Sequence, residues 1–484
     1  MIRSSLPKRT NGMFRSAMAA TLALAVASGA GLMSAPAMAA KAPAAPKVNM
    51  TKPFQTLAVP TNKAIEDAKA RADVVAAQGV ANSARTAYQQ ARSAAARAQA
   101  KTNHDAAIAA LGATLSAEKA QLETTFAAIG NQDDRYTFGQ LAIQLGGLAQ
   151  DSGIQRRGIT AMIESGKPTA IDLPRLHYFA GQLAMDARDY AGARTSLQTA
   201  VSNGYRDNDA EALLAEAYMA DNQVPQGLTV LQQAIDNRNA SGTPAPANWY
   251  RRGLGAAYKA NLLEQANGFS TGLVKAYPTA DNWAGAITVV REVGKFPAQE
   301  TLDLMRLMGR TNSFAEERDY IEYIQAADPR RLPGEVLKVV EAGLASGKLR
   351  ANDLFVTEAR TTSSSRIAQD RAALPGFERD ARAASATAAT ATGAADAFLS
   401  YGDAAKAEAL YTLALGKAGA DAPRILTRLG IAQADQGNFA GAQATFARVT
   451  GPRASIAKLW SVYAGQKAQP AVAPAPVPAP APAK

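Results

Sequence analysis

Histidine titrates nearest to neutral pH and is the commonest nitrogen ligand for metals, and this chain of 484 residues has two, His104 and His177. They lie far apart in sequence and neither sits near an acidic cluster. His104 in "TNHD" reads as a turn residue, and His177 as a large residue on a helix. There is no cysteine, which excludes disulfides, thiolate metal sites, cysteine catalysis and a lipobox anchor. The stretch "GLASGKL" at 343–349 carries a lysine but lacks the glycine spacing of a phosphate loop and the hydroxyl after Lys348. No G-x-S-x-G or H-E-x-x-H occurs. The expectation is a non-catalytic protein with no cofactor and no metal.

One carboxyl group remains to be weighed. A general acid must keep its proton near neutral pH, so Glu164 in "AMIESGKP" would need an apolar pocket. Glu164-Ser165 is similar to the acid motif of lytic transglycosylases, which sometimes place a helical superhelix beside a lysozyme-like domain. The Gly-Leu-Met-Gln type stretch that this resemblance requires downstream is missing, and a repeat occupies residues 175–205 instead. The favoured reading is that Glu164 ends a helix before the Gly166-Lys167-Pro168 turn.

The elements that would carry any site are helices. Alanine dominates, aromatics make up 6% and β-branched runs are short, so the expected class is all-α. Residues 1–39 read as a signal peptide: Arg3, Lys8, Arg9 and Arg15 precede the apolar run "AMAATLALAVASGAGLM", and Ala37-Met38-Ala39 supplies the A-x-A cleavage site. An uncleaved anchor is the rival, since the run from Ala17 to Met33 is near the lower limit for spanning a bilayer. Residues 40–61 read as an extended linker, rich in Pro, Ala and Lys. Residues 62–130 read as an Ala-rich helical hairpin or coiled-coil segment, turning at Thr102 to Asp105, with one long continuous helix as the rival. Small residues at 77, 80, 84, 87, 91, 94 and 98 supply its stripe, and oligomerisation through this segment stays open. Beyond 467, "QPAVAPAPVPAPAPAK" cannot form an α-helix and reads as a disordered Pro/Ala-rich tail to 484.

Between the hairpin and the tail the chain repeats. Gly146, Gly181 and Ala215 are 35 and 34 residues apart, and Ala395 and Gly430 are again 35 apart. Each is followed by a second small residue at related offsets, as at Ala193, Gly227, Ala407 and Ala442, and "LGAAY" at 254–258 supplies a further core around Gly255. This resembles the tetratricopeptide repeat family, whose unit is a helix-turn-helix of about 34 residues. The resemblance implies a right-handed α-solenoid, with the small residues as steric allowances where antiparallel helices cross. Repeats are expected at 131–280, degenerate helical repeats at 281–390 with a polar "TTSSSR" loop, and repeats again at 391–466. Trp460 and Tyr463 are expected to cap the open end. The aromatic expected four residues before each marker is missing, and His177, Glu211, Arg251 and Leu426 stand there.

By the same resemblance, the groove-facing, partner-binding positions are Arg175, Tyr178 and Gln182, then Glu216 and Met219, then Trp249, Arg252 and Lys259. Net charge is +11; without the four basic residues of the leader, 48 Lys and Arg face 41 Asp and Glu, about +7. The charges are scattered, so nucleic acid is not an expected partner; solubility and mild attraction to anionic envelope surfaces fit better. Two functions stay open. One is a periplasmic interaction scaffold for envelope proteins or peptides; the other is a peptidoglycan- or polysaccharide-associated accessory, or a degenerate cell-wall lytic enzyme. Secretion to the medium is the alternative location.

The leader reading makes the mature chain begin at Ala40, which amino-terminal sequencing of the fractionated protein checks. A chain that still starts at Met1 and stays in the membrane pellet would make the segment an anchor.

Overall fold

The computed structural model describes residues 48–468. The leader at 1–39, the first part of the linker and the Pro/Ala-rich stretch from 469 lie outside the described residues. Every regular element among the described residues is helical, and the chain divides into two compact units at 223/224. No described helix is long and apolar enough to cross a membrane.

The first unit begins with α1 (Lys52–Ala70), α2 (Ala72–Gln90), α3 (Ala94–Thr114) and α4 (Ser116–Ala127). It continues through α5 (Gln132–Leu148), α6 (Ser152–Glu164), α7 (Asp172–Asp186), α8 (Tyr190–Ser202) and α9 (Ala210–Ala220). From α5 onward each helix packs on the next. The extended linker expected to reach 61 is corrected here, because α1 starts at Lys52. Pro53 falls in the first turn, where an amide hydrogen would be unpaired in any case, and Pro60 is carried inside the helix. What holds α1 is Asp134 at the start of α5: its buried carboxylate accepts from the Thr51 amide at 2.9 Å, the Thr51 hydroxyl at 2.7 Å and the Gly130 amide at 3.0 Å.

The Ala-rich hairpin exists, but its turn is at 91–93, where the Ser93 hydroxyl caps α3 by accepting from the Ala96 amide. His104 is therefore inside α3, stacked on Tyr88. The buried face of α2 carries Val74 and Ala81, with Ala77 and Ala84 packed beside them, whereas Val80 is 61% exposed. In so alanine-rich a helix several stripes of small residues coexist, and alanine spacing alone does not tell which one is covered.

The second unit begins with α10 (Val224–Ala240), α11 (Ala247–Lys259), α12 (Leu263–Ala276), α13 (Ala280–Gly294) and α14 (Ala298–Arg310). Then come α15 (Glu317–Ala327), α16 (Pro333–Ala345), α17 (Leu354–Arg382), α18 (Ala388–Tyr401) and α19 (Ala404–Leu415). It ends with α20 (Ala422–Asp435), α21 (Phe439–Phe446) and α22 (Ala454–Ala468). The stretch "TTSSSR", expected as a loop, lies within α17, where the Ser364 hydroxyl donates to the Arg360 carbonyl one turn back. The larger correction concerns the end of the array. Within this unit α22 packs on α21, as expected, but also folds back on α12, α13 and α14; Trp460 is fully buried and the Gln466 amide donates to the Val274 carbonyl at 2.6 Å.

Helix crossings account for most of the repeated small residues. A Cβ on Gly181 would stand 2.5 Å from Leu197, and one on Gly430 would stand 2.4 Å from the Phe446 ring. At the third marker the allowance is made by Gly253, whose Cβ would lie 2.3 Å from Phe269, while Gly255 faces open space. Gly437 does a different job: at φ +80° it turns the chain out of α20, and the Asn438 side chain then caps α21 by accepting from the Gly441 amide.

These two glycines of α11 separate packing from propensity. Gly253→Ala is expected to cost about 1–3 kcal/mol by overpacking, whereas Gly255→Ala should gain roughly 0.5–1 kcal/mol from helix propensity. Denaturant unfolding of the two variants checks this; equal effects would mean that α11 and α12 do not cross at Gly253.

Candidate functional site

The eight positions expected to meet a partner fall in both units and divide by burial. On α7, Tyr178 lies three residues before Gly181 and so shares its covered face. It is fully buried, its hydroxyl donates to the Asn208 carbonyl at 3.2 Å, its ring lies 4.9 Å from Tyr205, and burial pushes its phenol well up. Trp249 lies four residues before Gly253, is 2% exposed and packs under the Arg238 guanidinium at 5.4 Å. Both side chains belong to the packing between helices, and neither is a groove contact. Arg175, Gln182, Glu216, Met219 and Arg252 are half-buried, and Lys259 is exposed. Arg175 stands over the Phe179 ring at 5.6 Å.

The other positions weighed for chemistry are spent structurally. Glu164 ends α6 and accepts from Arg135 at 2.7 Å on the surface. His177 is half-buried, and burial pushes its imidazole down. No group of His, Cys, Asp and Glu that could hold a metal ion occurs among the described residues.

The concentrated electrostatics lie in the second unit, around α14. From Thr301 to Met308 every residue of that helix is buried, including Asp303 and Arg306. Asp303 accepts from Arg306 at 3.1 Å, from Arg428 on α20 at 3.1 Å and from Arg453 at 2.5 Å. Its backbone carbonyl accepts from the Trp460 indole at 2.9 Å. Arg306 is held on its other side by Glu335 on α16, through two bonds of 2.7 Å, and the Tyr323 hydroxyl donates to the same carboxylate. Arg428 also donates to Asp396 on α18 at 2.6 Å, and Asp396 accepts from Arg424 and from the Tyr411 hydroxyl. Burial raises the Asp303, Glu335 and Asp396 carboxyls, but the arginines beside them overcome it and leave all three below their ordinary values.

A cavity of about 440 Å³ opens on the Arg306–Glu335 side of this network. Arg306, Tyr323 and Glu335 contribute to its wall, joined by Arg310 at the end of α14 and Asn312 after it, by Phe314 and Tyr320, and by Lys338, Ser346 and Lys348 on or after α16. Arg310 is held by Asp435 on α20 through bonds of 2.8 and 2.7 Å. Phe314 and Tyr320 form a ring pair with centroids 4.4 Å apart. Lys348 donates to the Phe314 carbonyl.

None of these lining residues stands out in the repeat pattern, which weakens across 281–390. One trace is legible in "AQETLDLMRLMGR": Asp303 and Arg306, three apart, share a polar face with Gln299 and Arg310, a spacing that pairs opposite charges on one side of a helix. Their partners at 335, 396, 428 and 453 are too distant in sequence for any spacing rule to join them.

No protein-family model and no curated protein sequence matches the chain. Among solved structures it is similar to "Structure of Naa15/Naa10 bound to HypK-THB", at 14% identity over 83% of this chain and 70% of that one, with a TM-score of 0.24. It is also similar to "Crystal structure of APC/C hetero-tetramer Cut9-Hcn1", at 12% identity over 74% and 83% of the two chains, with a TM-score of 0.18.

Asp396 gives the network a pH signature. Arg428 and Arg424 outweigh burial and hold its carboxyl at about 2, below the 3.8 of an unfolded carboxyl. Its contribution is therefore complete above the unfolded value and is lost as pH falls through about 4 to about 2. Asp396→Asn should cost about 3–5 kcal/mol at neutral pH and flatten the acid decline in that window. Denaturant unfolding across the pH range checks both; an unchanged acid limb would remove Asp396 from the network's energetics.

Proposed function

We propose that the protein is a non-catalytic scaffold, exported to the periplasm, that holds peptide or protein segments against the first helices of tetratricopeptide-like hairpins. The observation that carries this reading is the divided exposure of those helices. On α7, Gly181 is closed by Leu197 while Arg175 and Gln182 stay partly open. On α9, Ala215 is fully buried while Glu216 and Met219 stay partly open. On α11, Gly253 is closed by Phe269 while Arg252 and Lys259 remain accessible.

One face of each helix is thus consumed in building its own unit. The other presents charge, amide and thioether groups together, a mixture suited to binding a peptide whose backbone needs hydrogen bonds and whose side chains need adaptable apolar contact. The absence of a charge-dense strip along the sequence fits protein partners better than nucleic acid. The leader at 1–39 supports the periplasmic assignment, and the compartment in turn supports envelope proteins as partners.

Site-specific photo-crosslinking in intact cells tests the reading. A crosslinker at Met219 should capture a discrete protein, while one at Thr195, exposed on the second helix α8, should capture none. Equal capture at both positions, or attachment to peptidoglycan in place of protein, would overturn it.

A further inference from the structure

We infer that the cavity beside α14 and α16 is a binding site for a small organic anion: a flat apolar ring bearing one carboxylate or phosphate group. This goes beyond the scaffold reading, which places protein partners elsewhere on the chain.

The first argument is charge. Among the lining residues are four cations, Arg306, Arg310, Lys338 and Lys348, and one carboxylate, Glu335. Arg306 is satisfied by Glu335 and Asp303, and Arg310 by Asp435 from behind the wall. The two lysines have no such counter-charge. Lys348 spends one of its three donors on the Phe314 carbonyl. Lys338 reaches over the turn at Gly402, 3.7 Å from where a Cβ would stand, and makes no hydrogen bond or ion pair among the described residues. An ammonium group left unpaired beside a cavity is a ready partner for an anion, through a charge-assisted hydrogen bond.

The second argument is shape. About 440 Å³ lies within the ~300–1,000 Å³ typical of small-molecule sites. It would hold a ring with one substituent and not a length of folded chain. Phe314 and Tyr320 line one wall as a tilted pair, with Tyr323 beyond them at 6.0 Å from Phe314. A ring can lie against this aromatic wall while its anionic group meets the lysines, with the Asn312 amide available as a further donor; the Ser346 hydroxyl is already spent on the Gly343 carbonyl at 2.9 Å.

The third argument is rigidity. The floor is the Arg306–Glu335 pair, closed by two bonds of 2.7 Å and by the Tyr323 hydroxyl, all buried. A floor already saturated with hydrogen bonds does not rearrange to meet a ligand, so recognition falls to the rim lysines and the rings. That division of labour separates the site from the buried network by mutation: Lys338 is exposed and can be changed without unpairing a buried charge.

Titration calorimetry of the full mature chain tests this with phenyl phosphate and benzoate as probes, benzamide as the uncharged ring and inorganic phosphate as the ringless anion. Phenyl phosphate or benzoate should bind, benzamide and inorganic phosphate should each bind at least tenfold more weakly, and which aromatic anion is tighter tells phosphate from carboxylate. Lys338→Met and Lys348→Met should each weaken the tighter probe about tenfold while leaving the melting temperature of the chain unchanged for Lys338→Met. Failure of both aromatic anions to bind, benzamide binding as well as they do, or unchanged affinity in Lys338→Met would overturn the assignment. Because Met219 crosslinking does not involve these residues, either proposal can fail without the other.

Discussion

A carboxylate cannot be left alone in a protein interior, and the second unit is organised around one that is fully buried. Asp303 requires positive charge at both oxygens, and Arg306, Arg428 and Arg453 provide it. Each of those arginines is then itself a buried charge needing a second partner: Glu335 for Arg306, Asp396 for Arg428 and Glu300 for Arg453. The demand spreads outward until α14, α16, α18 and α20, with the turn before α22, are all tied to one another. A hairpin slipped by a single turn would strand at least one of these charges, so the network penalises wrong registers among helices whose alanine-rich faces discriminate poorly by shape.

The first unit is held differently. Its cohesion comes from an apolar core that includes Phe54, Ile65, Leu122 and Phe138, and from single ties such as Asp134 to Thr51 and the buried hydroxyl pair of Thr61 and Thr125 at 2.8 Å. Arg71 joins the α1–α2 junction to Glu118 on α4 and to the Thr114 carbonyl. Alanine buries little area per contact, so the α2–α3 hairpin gains little from each crossing, and most of its surface stays exposed toward the turn at 91–93.

Much of the helical order was legible from spacing, because close helix crossings leave a mark on residue size. Gly181 and Gly430 were legible as crossings for this reason. Gly255 was not a crossing because "LGAAY" offers a small residue at a plausible offset without showing which face Phe269 covers; Gly253, two residues earlier, is the one that meets it. The start of α1 and the turn at 91–93 were obscured by proline and alanine content, where capping by Ser93 and tethering by Asp134 decide the outcome. Of the candidate contacts, Tyr178 and Trp249 were misjudged because periodicity places them on the same faces as the crossing glycines. The cavity was invisible for another reason: its charges are matched across 29 to 125 residues, and a solitary lysine in a helix reads as a solvated face.

The span of the Asp303 contacts also orders events in time. A chain emerging amino end first presents Asp303 while Arg428 is still 125 residues away and Arg453 is 150 residues away. Until both have been made, burying α14 would leave Asp303 with Arg306 alone, itself shared with Glu335, so the centre of the second unit is completed only with its last helices. The high sequence separation of these contacts makes their formation slow as well as late. Local hairpins can assemble as they appear, but the centre of the unit closes only once the segment bearing Arg428 and Arg453 is present, which gives the turn before α22 the role of a latch on folding.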